Sequence, residues 1–215
     1  MHEIASSILP GELVFDIGAH TGAKTEWFLS RGARVIAVEP QTACVDALQR
    51  RYGNHPNLTI VQKGVSSTTG RMTMHINDRD PVLSTFSQHW MKGRFYDQVW
   101  AQSVDVEMTT LDHLVTTFGS PRYVKIDVEG FEKQVMQGLT KKCGTVSLEF
   151  TAEFLDDARD LIWYAHGLGY KHFNYSSGEA STFALPNWVT AGELVGELRA
   201  FCAAHALAWG DAYFC

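Results

Sequence analysis

The sequence contains no long apolar stretch, no excess of positive charge and no paired cysteine motif. Its 215 residues carry a formal net charge of −6, from 18 Lys and Arg against 24 Asp and Glu. Proteins that bind nucleic acid or anionic membranes present a basic face, so this balance argues against both classes while leaving room for a locally basic pocket. No apolar run reaches the ~20 residues that a membrane-spanning helix needs.

Cysteine-based frameworks and targeting signals are also missing. The four cysteines lack a C-x-x-C pair or a histidine at metal-ligand spacing: Cys44, Cys143, Cys202 and Cys215. This pattern indicates reduced thiols in a cytoplasmic protein. The N-terminal "MHEIASSILPGEL" has no basic segment followed by an apolar core, so we expect no signal peptide. With 45% hydrophobic and 20% charged residues, the chain has an ordinary globular composition, and residues 1–215 fit one domain.

From about residue 12, apolar strands alternate with amphipathic helices. Six stretches are typical of buried strands: "ELVFDIG", "ARVIAVEP", "NLTIVQKGVSS", "RYVKIDVEG", "GTVSLEFT" and "YKHFNYS". Helical stretches separate them, with Gly32 ending the first helix and Thr42 as the expected N-cap of the second. Residues 187–215 add a helix and a terminal strand. Right-handed β-α-β crossovers then predict an α/β fold: a doubly wound, mostly parallel sheet of about seven strands.

An inserted segment interrupts this alternation. "GRMTMHIND" and "QSVDVEMTTL" alternate as strands around a polar, aromatic stretch at residues 79–100, which predicts a hairpin or lid rather than a second domain. The stretch contains five aromatic residues together with Ser84 and His89: Phe86, Trp90, Phe95, Tyr96 and Trp100. Two interpretations stay open. The aromatics form a lid that excludes water and favours a hydrophobic or ring-shaped acceptor, or they are the packing core of the hairpin.

The first strand ends in "VFDIGAHTG", residues 14–22, a turn that a dinucleotide would not suit. A dinucleotide loop has the pattern G-x-G-x-x-G, and its second glycine lets pyrophosphate approach the backbone. Here Gly18 fits the first position, but His20 places a ring at the second. The frame acid-x-Gly-x-x-x-Gly, formed by Asp16, Gly18 and Gly22, suits a ligand with an amino-acid moiety and one nucleoside.

The second strand ends in an acid, Glu39, followed by Pro40. Glu39 comes 17 residues after Gly22, where a carboxylate can accept hydrogen bonds from both ribose hydroxyls. Each motif alone is weak, because Gly18 can be an ordinary turn glycine and Glu39 an ordinary surface acid. Their order on consecutive strands favours a nucleoside site, and the ligand that we infer is S-adenosylmethionine.

A second group of charged residues lies in "YVKIDVEGFE". Strand alternation predicts Lys125, Asp127 and Glu129 on one side, at the carboxyl end of the fourth strand. Buried acids are costly without partners or a task. Either Asp127 or Glu129 faces the reactive methyl group and the nucleophile, or Lys125 pairs with Asp127, Asp16 or Glu149 in a structural network. Carboxylates cluster here, but no dedicated metal-ligand spacing exists, so we predict no metal site.

Four stretches together resemble the FkbM family of S-adenosylmethionine-dependent methyltransferases, within the Rossmann-like class I enzymes: "VFDIGAHTG", "IAVEP", "TTLDHL" and "YVKIDVEGFEKQVMQGL". The resemblance runs from about Glu12 to Phe150. It implies that Asp16, Gly18 and Gly22 belong to the cofactor loop, with Glu39 at the ribose. It also implies that Gly64, Val65 and Ser66 lie beside the adenine, and that Asp127 and Glu129 lie near the transferred methyl group.

The family mostly O-methylates hydroxyls of small natural products and sugars, so a small hydroxylated molecule is the expected partner. The family usually has Asn where this chain has His20. We expect His20 to brace the loop rather than to contact a proton of the substrate. Asp127 is the first candidate for the base, followed by Glu129 or His20, while Lys125 keeps Asp127 ionised or stabilises a developing alkoxide. Alternatives are a non-catalytic regulator that binds adenosylmethionine, a nicotinamide-dependent dehydrogenase and, least favoured, a nucleic-acid methyltransferase. The oligomeric state stays open.

Overall fold

The computed structural model describes residues 7–77, 79–92 and 95–215. Its strands are β1 (Leu13–Ile17), β2 (Arg34–Val38), β3 (Leu58–Val61), β4 (Gly64–Val65), β5 (Gly70–Ile76), β6 (Gln102–Thr109), β7 (Tyr123–Ile126), β8 (Thr145–Thr151), β9 (Phe173–Ser177) and β10 (Trp209–Phe214). Its helices are α1 (Ala23–Ser30), α2 (Thr42–Tyr52), α3 (Gln88–Lys92), α4 (Leu111–Phe118), α5 (Glu132–Gln137), α6 (Leu155–Leu168) and α7 (Ala191–Ala204). Short 3-10 helices occupy Pro81–Leu83 and Ala152–Phe154.

The main sheet has seven strands in the order β3-β2-β1-β7-β8-β10-β9. The first five strands of this order are parallel to one another, and β10 is antiparallel to both of its neighbours. The predicted doubly wound, mostly parallel sheet is therefore confirmed. The strand order reverses between β1 and β7, and such a reversal opens a crevice at the carboxyl ends of the strands.

The central strands are buried because their sequences are almost continuously apolar. All five residues of β1 and all four of β7 are buried. Strands covered by helices on both faces have this composition. The exceptions are Asp16 and Lys125, which face each other across β1 and β7 in the parallel register. A buried acid and a buried lysine thus lie side by side beneath the crevice.

A second, three-stranded sheet in the order β4-β6-β5 holds the inserted segment. The predicted hairpin is formed by β5 and β6, which pair antiparallel from Gly70 with Met108 to Ile76 with Gln102. The single strand predicted for "NLTIVQKGVSS" is wrong, because the chain breaks after Val61 and Gly64–Val65 pairs with β6 instead.

The helix ends match the sequence prediction at one position and depart from it at another. Gly32 follows the end of α1 with φ +77°, a conformation that favours glycine, so its predicted role is confirmed. Thr42 is the first residue of α2 rather than its N-cap; Gln41 occupies the N-cap position and makes no side-chain cap. In the described part of the chain, none of the helices combines the length and the apolarity that crossing a bilayer requires.

Candidate cofactor and active site

A cavity of about 200 Å³ lies at the carboxyl ends of β1, β2 and β7. Nine of the residues singled out in the sequence line it: Gly18, His20, Glu39, Pro40, Gly64, Val65, Lys125, Asp127 and Glu129. The remaining wall is largely apolar and includes Met74, Val82 and Phe131. Loops from separate strands thus converge where ligands bind in open α/β sheets.

Gly18 allows two of these loops to touch. Its φ is +80°, and a Cβ atom there would overlap the backbone carbonyl oxygen of Asp127. Its N–H donates to Val38 O at 2.9 Å. Glycine is therefore required both by its conformation and by the close approach of the β7 loop.

Glu39 is only 3% exposed, and its carboxylate is held by two backbone amides. Oε2 accepts from His20 N and Oε1 from Gln41 N, both at 2.8 Å. Burial raises the pKa of Glu39 to about 7, although these hydrogen bonds act in the opposite direction. Each oxygen keeps a second lone pair, so the carboxylate can still accept from a pair of ligand hydroxyls.

His20 braces this arrangement through its backbone. It adopts φ +47°, which is uncommon for a residue with a side chain, and its N–H is the donor to Glu39. Burial lowers the pKa of the half-buried ring, while Asp80 and Asp127 act in the opposite direction. The lowered pKa favours a neutral imidazole.

Three positions of the predicted cofactor set support the cavity without lining it. Asp16 is fully buried and accepts from Thr25 Oγ1 at 2.6 Å, and burial raises its pKa. Gly22, at the N-terminus of α1, faces Leu48. Ser66 donates its N–H to Thr109 O at 2.9 Å. None of the three lines the cavity, and strand alternation in the sequence does not reveal which residues near the strand ends turn inward.

Lys125 and Asp127 form the ion pair that was one of the predicted alternatives. Lys125 is 8% exposed and donates from Nζ to Asp127 Oδ2 at 2.6 Å. The predicted alternation beyond Asp127 is wrong, because β7 ends at Ile126 and Glu129 adopts φ +55°. Glu129 reaches the cavity through this turn, not through strand geometry.

The turn after β7 is held by three contacts. Thr85 Oγ1 donates to the carbonyl oxygen of Glu129 at 2.7 Å. Glu132 Oε1 accepts from Val128 N at 3.2 Å and from Gly130 N at 3.3 Å. Burial, with repulsion from Asp127 and Glu132, raises the pKa of Glu129 to about 9, so its carboxyl group holds a proton at neutral pH.

The segment at residues 79–100 contributes both to the cavity and to packing, although residues 93 and 94 lie outside the described part of the chain. Val82, Ser84 and Phe86 line the cavity. Trp90 is 4% exposed and stacks on Phe154, with ring centroids 5.5 Å apart. The beginning of the segment therefore forms a wall of the cavity, whereas α3 packs against the body of the protein.

Sequence reasoning missed several residues of the site. Gln41 anchors Glu39 and also donates from Nε2 to Pro81 O at 3.2 Å, which ties the inserted segment to β2. Lys24 and Lys63 line the cavity, and nothing in their sequence surroundings marks them. The sequence suggests Glu149 only as a partner for Lys125, yet it lies with Asp127 and Glu129 so that one oxygen of each is within 4.8 Å of the others. That spacing is compatible with a metal ion and does not appear in a linear pattern.

The Methyltransferase FkbM domain model matches residues 16–172. The chain belongs to the FkbM methyltransferase family. The match runs from Asp16, near the end of β1, to the residue before β9, and therefore covers every loop that contributes to the cavity. The resemblance inferred from the sequence motifs is confirmed.

This FkbM domain is also similar to two proteins that are named as methyltransferases, over different shares of its length. It is 32% identical over 65 residues to Ribosomal RNA small subunit methyltransferase A of Dehalococcoides mccartyi strain CBDB1; the match covers 30% of this chain and 22% of that protein. The chain thus spans about a fifth of the length of that relative. The solved Precorrin-6y C5,15-methyltransferase of Geobacter metallireducens GS-15 matches 99% of this chain and 84% of its own, with a TM-score of 0.50 and 10% identity. This second likeness is one of fold.

Membership in this family implies the use of S-adenosylmethionine, and the residues of the cavity fit that ligand. Glu39 offers a buried, incompletely occupied carboxylate for a ribose. Val65 and Phe86 offer apolar surface in the same cavity, which suits an adenine ring. Asp127 and Glu129 line the same cavity at the end of β7.

Proposed function

We propose that the protein transfers a methyl group from S-adenosylmethionine to a hydroxyl of a small molecule, such as a natural product or a sugar. The observation that carries the proposal is the position of Glu39. It is a buried carboxylate in a largely apolar cavity, at the point of the sheet where nucleosides bind in related folds. Burial raises its pKa to about 7, and hydroxyl groups of a ligand that donate to the carboxylate would stabilise its ionised form.

The bound cofactor supplies an electrophilic methyl carbon. The protein then has to position the acceptor oxygen and remove its proton, since an alcohol is a weak nucleophile. Asp127 is the proposed base, because it lines the cavity and its ion pair with Lys125 fixes one carboxylate oxygen. A base within hydrogen-bond reach contributes roughly 10²–10⁴-fold.

The other two candidates for the base fit less well. Glu129, with its pKa raised to about 9, already holds a proton at neutral pH. The His20 ring is neutral and able to accept a proton, but the residue is also committed through its backbone to Glu39. Lys125 is placed to hold Asp127 in one orientation or to stabilise a developing alkoxide.

A small acceptor is proposed over a nucleic acid because of charge. The cavity is lined by three acids and three lysines, but the surface of the chain as a whole carries a net charge of −6. A polyanionic backbone would be repelled from such a surface. A cytoplasmic location is part of the proposal, and it is supported by the four cysteines, none of which forms a disulfide in the described chain.

Titration calorimetry with S-adenosylmethionine and with NAD tests the cofactor. We expect saturable binding of the methyl donor and none of NAD; binding of NAD alone would favour a dehydrogenase instead. A screen of small hydroxylated metabolites with isotopically labelled donor then tests transfer. Tight donor binding without transfer to any acceptor would favour a non-catalytic regulator.

Asp127→Asn tests the proposed base. We expect turnover to fall by about 10²–10⁴-fold while the affinity for S-adenosylmethionine stays within about twofold, because Asn keeps the shape of the side chain. Asp46→Asn, on the exposed face of α2, is the matched control and should retain full turnover. Unchanged turnover in Asp127→Asn would remove this residue as the base.

A further inference from the structure

The carboxylates at the end of β7 outnumber the cations there. Asp127, Glu129 and Glu149 each place one oxygen within 4.8 Å of the other two. The pairing of β8 with β10 also sets Asp211 directly opposite Glu149, and like charges at facing strand positions repel each other. Among the carboxylate atoms of the described residues, Asp127 Oδ2 is the only one that Lys125 contacts.

Neighbouring charged groups do not supply the missing positive charge. Lys133 lies beside Glu149 but contacts Asp157 at 2.8 Å and Asp160 at 3.0 Å. Glu132 adds a further acid on the same side. Burial and mutual repulsion raise the pKa of Glu149 well above its ordinary range, in line with this excess of acid.

A buried hydroxyl next to the acids lacks a partner. Thr151 follows Glu149 by two residues on β8, and strand alternation places both side chains on the same face. Thr151 is 5% exposed, and its Oγ1 has no hydrogen-bond partner among the described residues. Leaving such a group unpaired costs about 1–3 kcal/mol, so the site is arranged for an occupant that supplies the contact.

There is space for that occupant. Glu149, Glu132 and Thr151 line a cavity of about 20 Å³, which shares no lining residue with the cavity of about 200 Å³. A volume of about 10–15 Å³ is enough for one water molecule. The cavity is polar on this side and has room for one water bound to an ion at Glu149.

We propose that Asp127, Glu129 and Glu149 bind one divalent cation, with the Thr151 hydroxyl in contact with the ion or with one of its waters. All four donors are oxygens, which favours a hard ion such as Ca²⁺, Mg²⁺ or Mn²⁺ over Zn²⁺. Oxygens on opposite sides of Ca²⁺ are about 4.6–5.2 Å apart and those of Mg²⁺ about 4.0–4.2 Å. Oxygens that all lie within 4.8 Å of one another are compatible with Ca²⁺ and need a larger contraction for Mg²⁺.

The three carboxylates line different cavities: Asp127 and Glu129 line the 200 Å³ cavity, and Glu149 lines the 20 Å³ cavity. That the cation lies near an acceptor hydroxyl rests on the proposed function, whereas the binding of the cation to the protein does not. The Oδ1 atom of Asp127 is available as a ligand while Oδ2 stays with Lys125. Lys125 and the cation then neutralise different atoms of the same carboxylate.

Calorimetric titration of chelator-treated protein with MnCl₂, CaCl₂ and MgCl₂, in the absence of any cofactor, tests the proposal. We expect one saturable site, detected for Mn²⁺ also by the loss of its free-ion electron paramagnetic resonance signal. Glu149→Gln should weaken binding by at least tenfold and Thr151→Val by about tenfold. Glu197→Gln, on the exposed face of α7, should bind as the wild type does.

No saturable binding of any of the three ions below about 10⁻³ M, or equal affinity in Glu149→Gln and the wild type, would overturn the proposal. Glu149→Gln removes one of several repelling charges, so we expect it to unfold at a temperature no lower than the wild type. If Glu149→Gln does not fold, the affinity of Thr151→Val for the three ions provides the same test. S-adenosylmethionine binding is measured separately, so failure of the metal site and failure of the proposed function are told apart.

Discussion

At the scale of single residues, the candidate site depends on backbone conformations that only glycine adopts readily. Gly18 is the clearest case, since its φ is +80° and a Cβ would overlap the carbonyl oxygen of Asp127. The β1 and β7 loops meet at this point, one with the cofactor motif and the other with the proposed base. Adding a single methyl group at Gly18 should therefore disturb both loops at once.

We therefore expect Gly18→Ala to lower the free energy of unfolding by at least about 2 kcal/mol, because strain at positive φ adds to a backbone clash. Thermal and urea unfolding measure this change. Gly196→Ala is the matched control: Gly196 lies within α7, and a Cβ there would meet no heavy atom within 4 Å beyond the backbone of its own helix. Alanine should stabilise that helix by about 0.5–1 kcal/mol. Equal stability of the two variants would contradict the close approach at Gly18.

Glu39 is the second residue on which the site depends. Its two oxygens accept amide hydrogen bonds from the loops after β1 and β2. Glu39→Gln replaces one acceptor oxygen by a donor, so the affinity for S-adenosylmethionine should fall by about 10–100-fold, the usual effect of losing a hydrogen bond to a charged group. Titration calorimetry measures it, with the exposed Glu197→Gln as control. An unchanged affinity would show that the carboxylate does not contact the ligand.

At the scale of elements, the sequence predicted the main sheet because its strands are apolar runs of ordinary length. It did not predict where "NLTIVQKGVSS" divides, since β3 and β4 join different sheets and pairing partners do not appear in a local pattern. The same limit explains Glu149. Asp127 and Glu149 become neighbours only because β7 pairs with β8, and no spacing along the chain records that pairing.

The inserted segment offers a test at this scale, because its two parts differ in burial. Trp90 of α3 is buried against Phe154, and its Cε3 atom would lie 2.7 Å from a Cβ on Gly130. Trp90→Ala should lower the free energy of unfolding by about 3–5 kcal/mol through the cavity it leaves. Val82 is 45% exposed at the edge of the large cavity. Val82→Ala should leave stability within about 0.5 kcal/mol and raise KM for the acceptor. Loss of stability in both variants would show that the whole segment is packing core.

At the scale of the molecule, buried acids dominate the charge distribution around the crevice. Burial raises the pKa of Asp16, Glu39, Glu132 and Asp211, and the positive charges of Lys125 and Lys24 oppose this rise only at Asp16 and Asp211. Composition shows only a modest acidic excess, so the concentration of acids at one end of the sheet was not visible in the sequence. It follows from the order of strands, which brings β1, β7, β8 and β10 together.

This distribution determines how stability depends on pH. Glu39 and Glu132 have pKa values of about 7 in the folded protein, above the ordinary 4.5, so each binds its proton more tightly when folded. Their contribution to stability is complete below about pH 4.5 and is lost as the pH rises through 7, by on the order of 3 kcal/mol each. Exposed acids with a lowered pKa, such as Asp160, change the stability only at lower pH.

The melting temperature should therefore fall between pH 5 and pH 8, in buffers of constant ionic strength. Glu39→Gln should flatten the curve, because it removes one of the acids with a raised pKa, whereas Glu197→Gln should leave its slope unchanged. Saturating S-adenosylmethionine should protect the protein most at the alkaline end, where Glu39 is ionised and able to accept ligand hydroxyls. A melting temperature that stays level or rises from pH 5 to pH 8 would mean that these carboxyls are already ionised in the folded protein, with donors or cations that lower their pKa.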